Sequence, residues 1–171
     1  ILSLCFGKRH YFNKAEKIRY WAGKFGLSQI NAGYWGEGVL GSDFKDPKLN
    51  IDLNLSLASF GSRQILTIIT QLFWSNSGDI ILIEEPEISL HPESQVLLQE
   101  LFADAISEGK QIICTTHSPF LLLGIPQVIK KGKISIKDII IYHVTKGQRG
   151  TKLKQLEMDK RGNIKGWVPS Y

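Results

Sequence analysis

Apolar positions along this 171-residue chain change their spacing several times, and each change marks a new element. Residues 11–25 (YFNKAEKIRYWAGKF) are aromatic and basic and read as a short helix stopped near Gly26. Residues 29–58 are rich in Gly, Asp and Asn, and within them Leu49, Ile51, Leu53, Leu55 and Leu57 alternate. That period of two predicts a half-buried strand in a small β region. From residue 59 the spacing becomes helical, with Ile65, Ile68, Ile69, Leu72 and Phe73 on one side of residues 62–74. Ser75 to Asp79 is a turn, and Ile80 to Ile83 is a continuous apolar run of the kind a parallel strand buried on both faces requires. His91 and Pro92 open a third helix to about Glu108, with Leu97, Leu101, Phe102 and Ala105 inward and Gly109 closing it. Gln111–Thr115 predicts another buried strand, His117-Ser118-Pro119 a helix start, and residues 138–144 (DIIIYHV) a third strand. Leu153 to Val168 reads as a hairpin around Arg161-Gly162-Asn163.

Strand and helix alternate between residues 80 and 144, which predicts an α/β fold with a mainly parallel sheet and flanking helices. The β region before it and the hairpin after it complete one domain over residues 1–171, in three stretches: 1–58, 59–125 and 126–171. Open parallel sheets carry their chemistry at the C-terminal ends of the strands. The polar residues after Ile83 and after Thr115 should therefore face one crevice.

Composition narrows the class. With 43% hydrophobic and 22% charged residues and six prolines, the chain is globular rather than disordered. No apolar run approaches the roughly 20 residues of a membrane helix, and no secretory or transit signal opens the sequence. Cys5 and Cys114 lie far apart, which suits a reducing cytoplasm better than a disulfide scaffold. The sequence starts at Ile1 and its one methionine is Met158, so we read it as a piece of a longer polypeptide. Charge is uneven: residues 128–171 hold 11 Lys and Arg against 3 Asp and Glu, whereas the rest holds 10 against 13. Such a basic segment attracts polyanions, but it is also what an ordinary solvated surface looks like.

Three clusters can carry chemistry. Glu84 and Glu85 follow the first buried run, with Pro86 and Glu87 behind them. Paired carboxylates at a strand tip can divide the holding of Mg²⁺ from the activation of water, or they can merely flank the strand. His117 follows the second run and can reach the same reaction centre, or serve as a structural histidine. Ser59 to Gln64 puts hydroxyl and glycine residues at a helix start, which is an anion site or a plain cap.

Their order and spacing resemble the back half of ABC-type ATPases, in particular the RecF, SMC and OLD-type ATPases loosely called AAA proteins. Ser59-Phe60-Gly61-Ser62-Arg63-Gln64 is similar to the family's signature SxGxxQ, and Glu84-Glu85 to its Walker B Asp-Glu pair. Ser89-Leu90-His91 falls at the D-loop and His117 at the switch histidine, and the likeness is good over residues 55–125. Glu84 departs from the usual Asp, and His91 from the usual D-loop Asp. No P-loop pattern GxxxxGK(S/T) occurs. Gly36 to Gly41 spells GxGxxG, but Ser42 to Pro47 after it is turn-like, so a β-hairpin is expected there rather than a dinucleotide site.

The resemblance implies a partial P-loop NTPase (ABC-head) fold and, in the full protein, Mg²⁺-dependent ATP hydrolysis by a cytoplasmic head dimer. Glu85 would be the base, Glu84 would anchor Mg²⁺ directly or through water, and His117 would sense the γ-phosphate. Ser59, Phe60, Gly61, Ser62 and Gln64 would meet the nucleotide of a partner subunit, with Ser89 and His91 at the D-loop contact. An N-terminal Walker A lobe of the same protein would hold the ATP, so this chain alone is expected to be inactive. The reading requires Glu85 beside His117 and an exposed turn at Gly61. The rival is a nucleotide-gated clamp or scaffold, its basic end facing DNA or a nuclease partner, with little hydrolysis.

Overall fold

A computed structural model describes residues 9–35, 39–46, 48–148 and 150–165. Helix α1 (Arg9–Lys24) leads into strands β1 (Ser28–Trp35), β2 (Val39–Lys45) and β3 (Asp52–Asn54), which pair antiparallel in that order. Helix α2 (Phe60–Trp74), strand β4 (Ile80–Glu84), helix α3 (Pro92–Ser107) and strand β5 (Gln111–Thr115) follow. Strands β4 and β5 pair in parallel, with Ile83 opposite Cys114 and Glu84 opposite Thr115. Two short helices, α4 (Pro119–Leu123) and α5 (Ile125–Lys130), precede an antiparallel hairpin of β6 (Ile141–Gly147) and β7 (Gly150–Leu156). The main core joins Ile18 and Trp21 of α1, Ile69 and Phe73 of α2, Ile81 and Ile83 of β4, and Leu98 and Leu101 of α3. No helix among the described residues is long and apolar enough to cross a membrane.

Several expectations are corrected. The sheet is not mainly parallel: one parallel pair stands beside two antiparallel sheets. The third strand joins β7, not β5, because a near neighbour in sequence is reached at little loop-closure cost. The C-terminal hairpin therefore turns before Gly150, and the Arg161–Asn163 turn forms no further strand pair beyond a bridge between Met158 and Ile164, being closed mainly by Asp159, whose carboxylate accepts the Arg161 and Asn163 amides; residues 166–168 lie outside the described residues. Strand β4 is buried on one face only, with Ile80 at 60% and Leu82 at 68% exposure.

The alternation from Leu49 to Leu57 yields a strand of three residues, leaving Leu49, Ile51 and Leu57 exposed. Two Asx-type caps cut it short. Asp46 Oδ1 accepts the amides of Lys48 and Leu49, and Asn54 Oδ1 accepts that of Ser56 to start a 3-10 turn at Leu55–Leu57. Around the GxGxxG pattern, β1 and β2 do pair antiparallel with Trp35 opposite Val39; residues 36–38 lie outside the described residues.

Candidate functional site

The two parallel strands end side by side, and the turns that follow them are bonded together. Glu85 N–H donates to the Thr115 carbonyl at 3.0 Å. Glu85 then adopts a φ of +44°, a left-handed conformation rare for a residue with a Cβ. The turn closes through Ile88 N–H to the Glu85 carbonyl at 3.2 Å and Leu90 N–H to the Glu87 carbonyl at 3.0 Å, with Ser89 also left-handed at φ +59°. Backbone strain of this kind persists only where the surroundings enforce it.

The two strand tips do bring Glu85 and His117 together as the sequence predicts, but at an open surface rather than in a common crevice. Glu85 Oε1 lies 3.6 Å from His117 Nε2, an ion-pair distance when the imidazole is protonated. Both side chains reach solvent, at 42% and 89% exposure. Glu84 sits on the open face of the sheet next to Thr115, at one end of a groove of about 550 Å³ between β4 and α2. Arg63, Thr67 and Gln71 of α2 and Leu82 of β4 line that groove.

The glycine-bearing helix start is not arranged as expected. Gly61 is buried, and a Cβ there would collide with the Ser89 carbonyl oxygen and sit 3.3 Å from Leu90 Cδ2. Its lack of a side chain serves the close approach of α2 to the Ser89 turn. Ser59 is the α2 N-cap: its Oγ accepts Ser62 N–H at 3.1 Å and lies 2.9 Å from Ser62 Oγ. Gln64 turns inward, its Nε2 donating to the Glu85 carbonyl at 3.4 Å. Ser59 and Phe60 stay exposed, as do Ser89 and His91, the latter capping α3.

Glu87, which no motif singled out, organises the site. Its carboxylate is 8% exposed, and Oε1 accepts both Thr116 Oγ–H at 2.7 Å and His117 N–H at 2.8 Å. Burial pushes the neighbouring Cys114 thiol up to about 11, and the Glu87 charge adds to the effect. Gln95 of α3 braces the other side, its Nε2 donating to the Leu90 carbonyl at 2.8 Å and its Oε1 accepting from Ser118 Oγ. A hint lay in the second carboxylate two residues after Glu85, but its partners come from a strand some thirty residues on.

No group of three or more His, Cys, Asp or Glu side chains among the described residues forms a metal cage. The hard-oxygen donors on offer are instead Glu84 and Glu85, consecutive residues at an open strand tip. That set suits Mg²⁺, which keeps several waters and takes one or two carboxylates together with substrate phosphates.

A family model described as "AAA domain, putative AbiEii toxin, Type IV TA system" matches residues 29–123. The Nod factor export ATP-binding protein I of Cupriavidus metallidurans is 29% identical over 106 residues, 62% of this chain and 34% of that protein. The protein of the same name from Ralstonia nicotianae is 27% identical over 62% of this chain and 32% of its own length. The chain thus spans about a third of the curated relatives it matches. Among solved structures, one described as "Structural biochemistry of ATP-driven dimerization and DNA stimulated activation of SMC ATPases" superposes with a TM-score of 0.60. It is 14% identical and covers 90% of this chain and 92% of its own. An SmcHead bound to the C-winged helix domain of ScpA gives the same TM-score and identity over 89% and 46%. These two likenesses establish an SMC-head-like α/β fold.

Proposed function

The chain belongs to this AAA-domain family, and from that premise we propose that it is the carboxylate-bearing half of an ATP-hydrolysing head. The observation that carries the reading is Glu85 within 3.6 Å of His117 at adjacent strand tips. Glu85 accepts a proton from the attacking water, its carboxylate lying beside the His117 imidazole that follows β5. His117 donates to the charge that develops as the phosphoryl group leaves. Glu84, on the open sheet face, is the residue that would hold Mg²⁺, which supplies positive charge beside the phosphates when bound.

The remainder of the site is proposed to come from elsewhere. A Walker A lobe of the same protein would cover the sheet face that leaves Ile80, Leu82 and Ile113 exposed. In a homodimer, Ser59 and Phe60 at the open start of α2 and the Ser89–His91 turn would meet the partner's nucleotide. The exposure required of Gly61 is not met, so its contact with a partner's nucleotide is dropped: Gly61 and Gln64 act from within, seating α2 against the carboxylate turn, and Ser59 and Phe60 are left to carry that contact. The test is Glu85→Gln in the full-length protein. ATP turnover should fall at least about 100-fold with nucleotide binding retained; undiminished hydrolysis rejects the assignment.

A second reading, a nucleotide-gated clamp for DNA or a nuclease partner, draws on the β6–β7 hairpin. Register puts His143, Thr145, Lys152 and Lys154 on one face and Tyr142, Val144 and Leu153 on the other, all exposed. An exposed two-stranded hairpin with a basic face is a surface for a polyanion.

A further inference from the structure

The catalytic pair lies at the surface, yet two of the bonds that join its turns come from one buried carboxylate, beside the Glu85 N–H to Thr115 carbonyl bond. Glu87 is the midpoint of the turn carrying Glu85, and both hydrogen bonds of its Oε1 go to the other strand tip, at Thr116 and His117. Its Oε2 is buried with no hydrogen-bond partner among the described residues. Burying a carboxylate with one oxygen unsatisfied is costly, so the fold tolerates this group for what Oε1 does. Ser118 begins where those bonds end: its amide donates to Thr116 Oγ1 at 2.9 Å, and its hydroxyl caps α4 and bonds Gln95. Gln95 closes the circuit at the Leu90 carbonyl, at the far end of the Glu85 turn.

We propose that Glu87 is a positioning residue, whose buried carboxylate holds the Thr116–His117 turn against the Glu85 turn and so sets the imidazole beside the catalytic carboxylate. This rests on the ATPase reading for its consequence in turnover, but not for the clamp itself. A carboxylate accepting a backbone N–H and a hydroxyl together fixes both the position and the direction of the residue between them. His117 contributes an exposed side chain from an anchored backbone, and without Oε1 that backbone keeps only its chain neighbours as restraint. The clamp needs an acceptor at Oε1; the carboxylate's charge strengthens both bonds, but an amide oxygen can receive the same two neutral donors.

The experiment compares Glu87→Ala with Glu87→Gln in the full-length protein by hydrogen exchange and steady-state ATP turnover. In Glu87→Ala the amide exchange of the peptide holding His117 should speed up about 10- to 100-fold, the worth of a hydrogen bond to a charged group. Turnover should fall about 10-fold or more while KM for ATP stays within about two-fold, because positioning and not binding is lost. Glu87→Gln keeps an acceptor oxygen and should restore both quantities to near the parent values. The proposal is overturned if Glu87→Ala leaves His117 exchange unchanged, if it speeds exchange equally throughout the chain, or if Glu87→Gln is as impaired as Glu87→Ala. If Glu85→Gln hydrolyses ATP normally, the catalytic reading falls, and the exchange comparison still decides the clamp.

Discussion

At the residue scale, Gly61 shows how one position can look functional and be decided by packing. A methyl group there meets the Ser89 carbonyl oxygen, so either α2 or the Ser89 turn must shift. Gly61→Ala should therefore destabilise the fold by about 1–3 kcal/mol, the usual cost of overpacking, read as a lower thermal midpoint. Ser59→Ala removes the N-cap of α2 and should cost about 1 kcal/mol in the same measurement. Cys114 is a chemical counterpart. Burial and the Glu87 charge raise its thiol to about 11, so almost no thiolate exists at pH 8. In a Cys5→Ser background, labelling by a thiol reagent at that pH should be far slower than for a free cysteine, and rapid labelling would show that the turn opens.

At the element scale, α1 is fastened to the end of α3 by charge. Lys17 bonds Glu108 and lies 3.3 Å from Asp104, and Trp21 Nε1 donates to Asp104 at 2.7 Å. Lys110, only 2% exposed, pairs with the same Glu108, and both lysines sit over the Phe73 ring. Burial pulls the Glu108 carboxyl up, but its bonds to Lys110 and Lys17 outweigh that and hold it below the ordinary 4.5. A depressed carboxylate contributes stability fully above the unfolded pKa and loses it as pH falls through the folded one. Chemical-denaturation midpoints should therefore drop as pH is lowered below about 4.5, and Glu108→Gln should flatten that acid limb. The same substitution strands the buried Lys110 ammonium and should cost about 1–3 kcal/mol at neutral pH.

At the scale of the whole molecule, two surfaces remain open among the described residues: the apolar face of β4–β5 and the β6–β7 hairpin. If the basic hairpin face meets nucleic acid, affinity for duplex DNA should fall steeply with salt. Lys152→Ala with Lys154→Ala should then reduce the slope of log affinity against log salt by about 2. Binding that ignores salt would remove DNA from the second reading.

What could be read from the sequence were the features whose cause is local. The helix over 62–74 follows from its 3.6-residue apolar spacing, the start of α3 from His91-Pro92, and the strand tips from short apolar runs ending in polar residues. The meeting of the Glu85 and His117 turns was likewise legible, because consecutive parallel strands present their C-terminal ends together. Other features depended on long-range contacts. Whether Ile80 and Leu82 were buried turned on what covers the sheet, and an apolar run reads the same with or without a cover. The partner of β6 turned on competition between a neighbouring strand and a distant one. Glycine 61 and Glu87 acquired their roles from atoms 28 and about 30 residues away, the Ser89 carbonyl and the His117 amide. Periodicity and end signals are written along the chain; close approach and buried hydrogen bonding exist only once the chain has folded back on itself.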